Sequence, residues 1–244
     1  MEQSQLIETF QISSKILKQD RTINVWIPND FKDDVLPVLY LLDGGLQEKF
    51  NQIQQLLIHL IKENKIKPVL LVGIENIERN YDFTGNTTVR KDRKWVPKYG
   101  NAARFKRFIT EELIPTIDTK YKTNHKNAIV GESLGGLLVM DLLYHHPEHF
   151  KSFISIDPSL WWNNHLLIDE IMNGMDLNHL KDKKLWIAAS QVISISELTD
   201  QFVSKLKSNP NLNNNWLYIE DKNQTHFTIF NHTIQEALHW ILKK

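Results

Sequence analysis

The 244-residue chain has no cysteine, which excludes disulfides, thiolate metal sites and a cysteine nucleophile. Its 29 lysines and arginines are balanced by 29 aspartates and glutamates. It therefore lacks the basic field that draws nucleic acid or an anionic membrane surface. Long apolar runs are missing too: residues 35–42 and 69–72 fall far short of the roughly 20 needed to span a bilayer. Residues 1–10 alternate polar and apolar side chains, with neither the basic start nor the apolar centre of a secretion signal. These absences lead us to expect a soluble, cytoplasmic protein with no nucleic-acid and no membrane partner. Hydrophobic residues make up 41% of the chain, enough to bury a sizeable core, and the expectation is a single domain over residues 1–244.

Short β-type runs recur with longer helical patterns between them, the alternation that builds an α/β fold around a mostly parallel sheet. The opening differs: residues 7–12, 15–17 and 22–27 follow one another without a helix, which predicts antiparallel strands at one sheet edge. Further strands are expected at 38–42, 69–74, 127–130, 152–156, 184–189 and 215–220. Phe50, Ile53, Leu57, Leu60 and Ile61 share one helical face. Residues 102–121 form another helix, with a kink expected at Pro115. The long polar stretch 75–100 has the length of a functional connection. Residues 158–182 read as a small cap-like segment, 197–208 as a helix, and Phe230, Ile234, Leu238 and Leu242 mark a closing amphipathic helix.

Glycine is scarce, nine in all, so its clusters carry weight. Gly131-Glu132-Ser133-Leu134-Gly135 lies between the apolar run Ala128-Ile129-Val130 and a helical pattern from 134 to 144. A G-x-S-x-G pentapeptide at a strand-to-helix turn is the signature of a nucleophile elbow, which lifts the serine hydroxyl to the head of a helix. Unpaired backbone N–H groups there favour a developing negative charge. Ser133 is the expected nucleophile.

A serine hydroxyl needs a base within hydrogen-bond reach, and histidine has the suitable pKa. Of ten histidines, His226 alone occupies a loop after the last strand and before the final helix, the place such an elbow requires. His232 and His239 fall within the closing helix, and His145, His146 and His149 read as a polar helix end, so no metal site is expected. The third group should be a carboxylate following the strand at 184–189. Ser190-Gln191-Val192-Ile193-Ser194-Ile195-Ser196 holds no acid, leaving Glu197 as first choice, Asp200 as second, and a Ser–His dyad as third. The oxyanion hole should combine the N–H of Leu134 with one from Asp43-Gly44-Gly45-Leu46, Gly45 preferred over Gly44 or Leu46.

Taken in order, Val38 to Gly44, Arg79-Asn80-Tyr81-Asp82-Phe83-Thr84, Phe108 to Pro115, Gly131 to Gly136 and Pro158-Ser159-Leu160-Trp161-Trp162 resemble the Putative esterase family of α/β-hydrolases. That family includes esterase D, feruloyl esterases, mycolyltransferases and siderophore esterases, and the Pro-Ser-Leu-Trp-Trp segment looks most like the siderophore branch. The resemblance implies an eight-stranded α/β-hydrolase sheet, Ser133 as nucleophile, His226 as base, no cofactor and a small-molecule ester substrate. The chain departs from the family in two places. Ser190-Gln191 stands where the family carries an acid-bearing turn, and Asp157 where it often has serine. Trp161 and Trp162, leaving a strand end on the elbow's side, and Arg79, in the long connection, are the expected substrate-binding residues. Ester hydrolysis is the first expectation; a catalytically weak or inactive binding module and an acyltransferase are the alternatives.

Overall fold

The computed structural model describes residues 7–174, 177–212 and 215–243. The expectation drawn from residues 1–10 thus falls largely outside the described residues, as do positions 175 and 176 of the expected cap. Eight segments are extended: β1 (Ile7–Ser14), β2 (Gln19–Trp26), β3 (Leu36–Leu41) and β4 (Leu70–Ile74), then β5 (Thr123–Glu132), β6 (Ser152–Ile156), β7 (Lys184–Ala189) and β8 (Trp216–Glu220). They form one sheet in the order β1-β2-β4-β3-β5-β6-β7-β8. β1 pairs antiparallel with β2, and β2 antiparallel with β4, while every later pairing is parallel. This is the α/β-hydrolase fold.

One expectation at the edge is corrected. Residues 15–17 are not a strand but the turn that joins β1 to β2. Lys18 at its end adopts φ 59°, a reversal that lets Ser14 pair with Gln19 across the hairpin.

Nine helices flank the strands among the described residues: α1 (Phe50–Lys62), α2 (Arg79–Phe83), α3 (Arg90–Trp95), α4 (Ala102–Arg107), α5 (Ile114–Lys120), α6 (Leu134–His145), α7 (Trp162–Gly174), α8 (Ile193–Lys207) and α9 (Ile229–Leu242). The long connection after β4 is therefore folded, carrying α2 and α3. Near Pro115, where a kink is expected, the helix widens into a π-type turn over Phe108–Leu113 between α4 and α5. It lies directly before the proline, which has no N–H to continue the α-helical ladder. No helix among the described residues is long and apolar enough to cross a membrane.

Strand residues alternate between the two faces of the sheet, and both faces are covered. Val38, Tyr40, Val72, Ile129 and Phe153 point to the side packed by Phe105, Phe108, Leu138 and Phe202. Leu39, Leu41, Leu71, Val130, Ile154 and Trp186 point to the other, where Phe50, Ile53 and Leu57 of α1 meet Ile234 and Leu238 of α9. Each such side chain stabilises the fold by about 1.5–3 kcal/mol through the area it removes from water. Double-sided burial explains why the central strands read as continuous apolar runs rather than alternating ones.

β5 and α6 cross in close backbone contact. A Cβ on Gly131 would lie 2.4 Å from the Gly135 carbonyl oxygen, so only glycine fits there. A Cβ on Gly135 itself would meet nothing nearer than the Phe83 ring at 3.5 Å. The two glycines of the motif are not equivalent. Gly131→Ala should cost about 1–3 kcal/mol by overpacking, lowering the melting temperature by roughly 2–12 °C, whereas Gly135→Ala should leave it within about 2 °C; differential scanning calorimetry of both variants checks this.

Candidate active site

Ser133 sits between β5 and α6 with φ 59° and ψ −121°, a conformation that costs a non-glycine residue of order 1–3 kcal/mol. Its backbone is clamped on two sides: the N–H donates to Ile156 O at 3.0 Å, and the carbonyl accepts from the Ser159 N–H at 3.1 Å. Both partners belong to the end of β6 and the turn after it. The hydroxyl is thereby held at the head of α6.

His226 lies in the loop between β8 and α9. That loop is tied to the end of β7 by Asp221 N–H to Ala189 O at 2.9 Å and by Gln191 N–H to Gln224 O at 3.0 Å. Its Nε2 is 3.0 Å from Ser133 Oγ, so the structure brings together the two side chains singled out from sequence. Nδ1 is 2.6 Å from an Asp157 carboxylate oxygen. A carboxylate can only accept, so Nδ1 carries the proton and Nε2 is left to accept from the serine hydroxyl.

The expected acid is corrected here. Glu197 is exposed, in the second turn of α8, and Asp200 is exposed one turn further on; the carboxylate that meets His226 is Asp157. It follows β6 directly, is fully buried and adopts φ 48°. It accepts from the Ser190 N–H at 2.7 Å and from the Ser190 hydroxyl at 2.9 Å as well as from His226. A buried carboxylate needs such donors. The sheet register contained the signal: Glu132 pairs with Ile156, and Ile156 with Ala188. Ser133, Asp157 and the end of β7 are therefore level with one another across three adjacent strands.

The Asp157 hydrogen bond raises the His226 pKa above its ordinary 6.5, overcoming the opposing effect of burial, with Glu132 adding to the rise and Arg79 working against it.

On the oxyanion side, the Leu134 N–H opens α6, where a helix offers no internal partner. The Gly45 N–H donates to a Glu48 carboxylate oxygen at 2.6 Å, and the Gly44 N–H to Ile74 O at 2.9 Å. Gly45 is thus engaged in the resting structure, although Glu48 is itself exposed.

Arg79 is also committed internally. Its guanidinium makes two bonds to Asp43, at 2.6 and 2.9 Å, and a third to Glu132 O at 3.1 Å. It braces the loop after β3 against the elbow and does not line the cavity beside Ser133. The two tryptophans divide as well. Trp161 lines that cavity, while Trp162 is 5% exposed and donates its indole N–H to Gly85 O at 3.2 Å.

The cavity has a volume of about 580 Å³ and opens over Ser133 and His226. Lys91 and Trp95 of α3, Trp161, and Val192 and Ser194 near the start of α8 form much of its wall. Trp95 is 71% exposed. Sequence reading did not single out the α3 residues, although Trp95 stands out as an aromatic directly after the polar run Arg90 to Lys94.

The eight-stranded α/β-hydrolase sheet thus carries a serine at a strand-to-helix turn beside a histidine–carboxylate pair. The family model for Putative esterase matches residues 14–206, and the chain belongs to that family. Ferri-bacillibactin esterase BesA from Bacillus subtilis is 30% identical over 191 residues, covering 71% of this chain and 63% of BesA. The chain thus spans less than two thirds of that relative's length. The BES protein from Bacillus cereus superposes with a TM-score of 0.83 at 22% identity, covering 100% of both chains. An IroE-like serine hydrolase from Shewanella oneidensis superposes with a TM-score of 0.80 at 25% identity, covering 97% of this chain and 80% of the other.

Because the Asp157 hydrogen bond is the largest influence on the histidine's ionisation, an NMR titration of the His226 ring should show a midpoint above 6.5. That midpoint should fall in Asp157→Asn and stay in place in Glu197→Gln.

Proposed function

We propose that the chain is a serine carboxylesterase in which Ser133 attacks the ester carbonyl while His226 takes its proton and Asp157 steadies the resulting imidazolium. The observation that carries this reading is the continuous chain of short contacts, Asp157 to His226 at 2.6 Å and His226 to Ser133 at 3.0 Å. The Leu134 N–H supplies one oxyanion donor. Gly45 supplies the second once the exposed Glu48 side chain releases it. His226 then protonates the leaving alcohol, and water activated by the same imidazole releases the acyl group.

For the substrate, the reading is an aryl or siderophore-type ester. It is supported by the likeness to BesA, which is named a ferri-bacillibactin esterase, and by the aromatic faces of Trp95 and Trp161 beside the Lys91 cation in the cavity wall. Aromatic walls suit a flat acyl group, and a cation over such a group adds attraction for a phenolate or carboxylate substituent. The lack of an acid directly after β7 would favour a non-catalytic binding role. A buried acid supplied by β6 instead removes the ground for it.

Ser133→Ala should abolish hydrolysis of p-nitrophenyl butyrate, and a fluorophosphonate probe should label the wild-type chain and not this variant. Turnover retained by the variant would overturn the assignment. Asp157→Asn should lower kcat by about 10³–10⁴-fold, as loss of the tautomer-fixing acid does in serine hydrolases, while Glu197→Ala should change it less than about twofold; steady-state kinetics on the same ester compares the two.

A further inference from the structure

Ser159 carries a hydroxyl for which the steps above have no use. It is 2% exposed, it lines the cavity beside Ser133, and its Oγ is 3.3 Å from Ser133 Oγ. Its own backbone N–H is already spent on the Ser133 carbonyl. The turn Pro158 to Trp162 closes through backbone bonds, Trp162 N–H to Ser159 O at 3.1 Å, and does not call on the side chain as a cap. Among the described residues, the Ser159 hydroxyl has Ser133 Oγ as its hydrogen-bond partner.

The proton inventory fixes the direction of that bond. His226 Nδ1–H donates a hydrogen bond to Asp157, so Nε2 accepts from Ser133. With its one proton committed to Nε2, Ser133 Oγ meets Ser159 as an acceptor, and Ser159 is the donor. We propose that Ser159 is a further catalytic residue, a side-chain donor to the nucleophile's oxygen that acts chiefly in deacylation. The proposal rests on the esterase reading given above.

The asymmetry between the two half-reactions follows from what Ser133 Oγ is in each. Before acylation it is a hydroxyl oxygen and a good acceptor, so the Ser159 bond exists in the ground state and little is gained on reaching the transition state. In the acyl-enzyme the same atom is the single-bonded oxygen of an ester, a poor acceptor. When the tetrahedral adduct with water collapses, the bond from the acyl carbon to Ser133 Oγ breaks and the electron pair returns to that oxygen. The proton that His226 took from water is delivered to it. Negative charge grows on Oγ during this step, within reach of the Ser159 hydroxyl, whose hydrogen bond strengthens as it does. An interaction made only in the transition state raises the rate of the step that forms it. One neutral hydrogen bond of ordinary strength corresponds to about a 3- to 10-fold change in rate.

The test is stopped-flow hydrolysis of p-nitrophenyl butyrate by wild type, Ser159→Ala and Ser159→Thr, each normalised to the fraction labelled by a fluorophosphonate. Expected for Ser159→Ala is a kcat lowered about 3- to 10-fold with KM lowered in parallel, so that kcat/KM stays within about twofold. A burst of p-nitrophenol close to one per labelled Ser133 should accompany it, with Ser159→Thr recovering most of the kcat. Equal losses in kcat and kcat/KM without an enlarged burst would overturn the role, because they report a misplaced nucleophile. Unchanged kinetics in the alanine variant would overturn it too. Failure of the esterase reading itself looks different, since the wild-type chain would then neither turn over the ester nor take up the probe.

Discussion

Burial of the Asp157 carboxylate is the constraint around which the site is arranged. A carboxylate taken fully out of water must find donors to replace the ones it leaves behind. Asp157 finds three: the backbone and side chain of Ser190 at the end of β7, and the His226 ring from the loop after β8. To satisfy one residue, the ends of β6 and β7 and the last loop must be held in register with one another. The same arrangement fixes the histidine's tautomer, so the polar satisfaction of the core and the preparation of the nucleophile are one set of contacts.

A second brace acts from the opposite side. Arg21 and Asp82, both essentially unexposed, form a 2.6 Å ion pair that fastens α2 to β2. Asp82 also accepts from Asn101 at 2.8 Å. From the other end of α2, Arg79 reaches Asp43 and the Glu132 carbonyl. Burial works to raise the Asp43 pKa, but Arg79, Lys49 and Asn76 outweigh it and hold the carboxyl below its usual value. The loop expected to carry the oxyanion donor is therefore locked to the elbow by charge, and an arginine that sequence pattern offers to the substrate is spent on this support. Breaking a buried pair strands a charge, so these positions serve the site through its framework.

What could be read from sequence divides along a physical line. The elbow was legible because its signal is local: an apolar strand, a glycine-flanked serine and a helix follow one another within 20 residues. His226 was legible because chain order places it, after the last strand and before the closing helix. The acid was not, because its identity depends on lateral neighbours. Asp157 and His226 are 69 residues apart, and their contact depends on the pairing of β6, β7 and β8. Looking after β7 led to Glu197, whose position on an exposed helical turn answers to solvent. The unusual Asp157 was visible as a departure, but its meaning required the register that sets it level with Ser133. Trp161 and Trp162 show the same limit on a smaller scale, since adjacent residues at a kinked helix start diverge to cavity and core.

With the acid on β6, the segment after β7 is relieved of supplying a carboxylate. Beyond Ser190 it contributes Val192, Ser194 and Ile195 to the cavity wall. The ties from this segment to Asp157 and the His226 loop run through Ser190 and the Gln191 backbone, not through the Val192, Ser194 or Ile195 side chains. On the proposed reading, the contacts among Asp157, His226 and Ser133 are thus separate from the wall that would meet the substrate. Substitution at Val192, Ser194 or Ile195 therefore reshapes the cavity wall and leaves the Asp157–His226–Ser133 contacts in place.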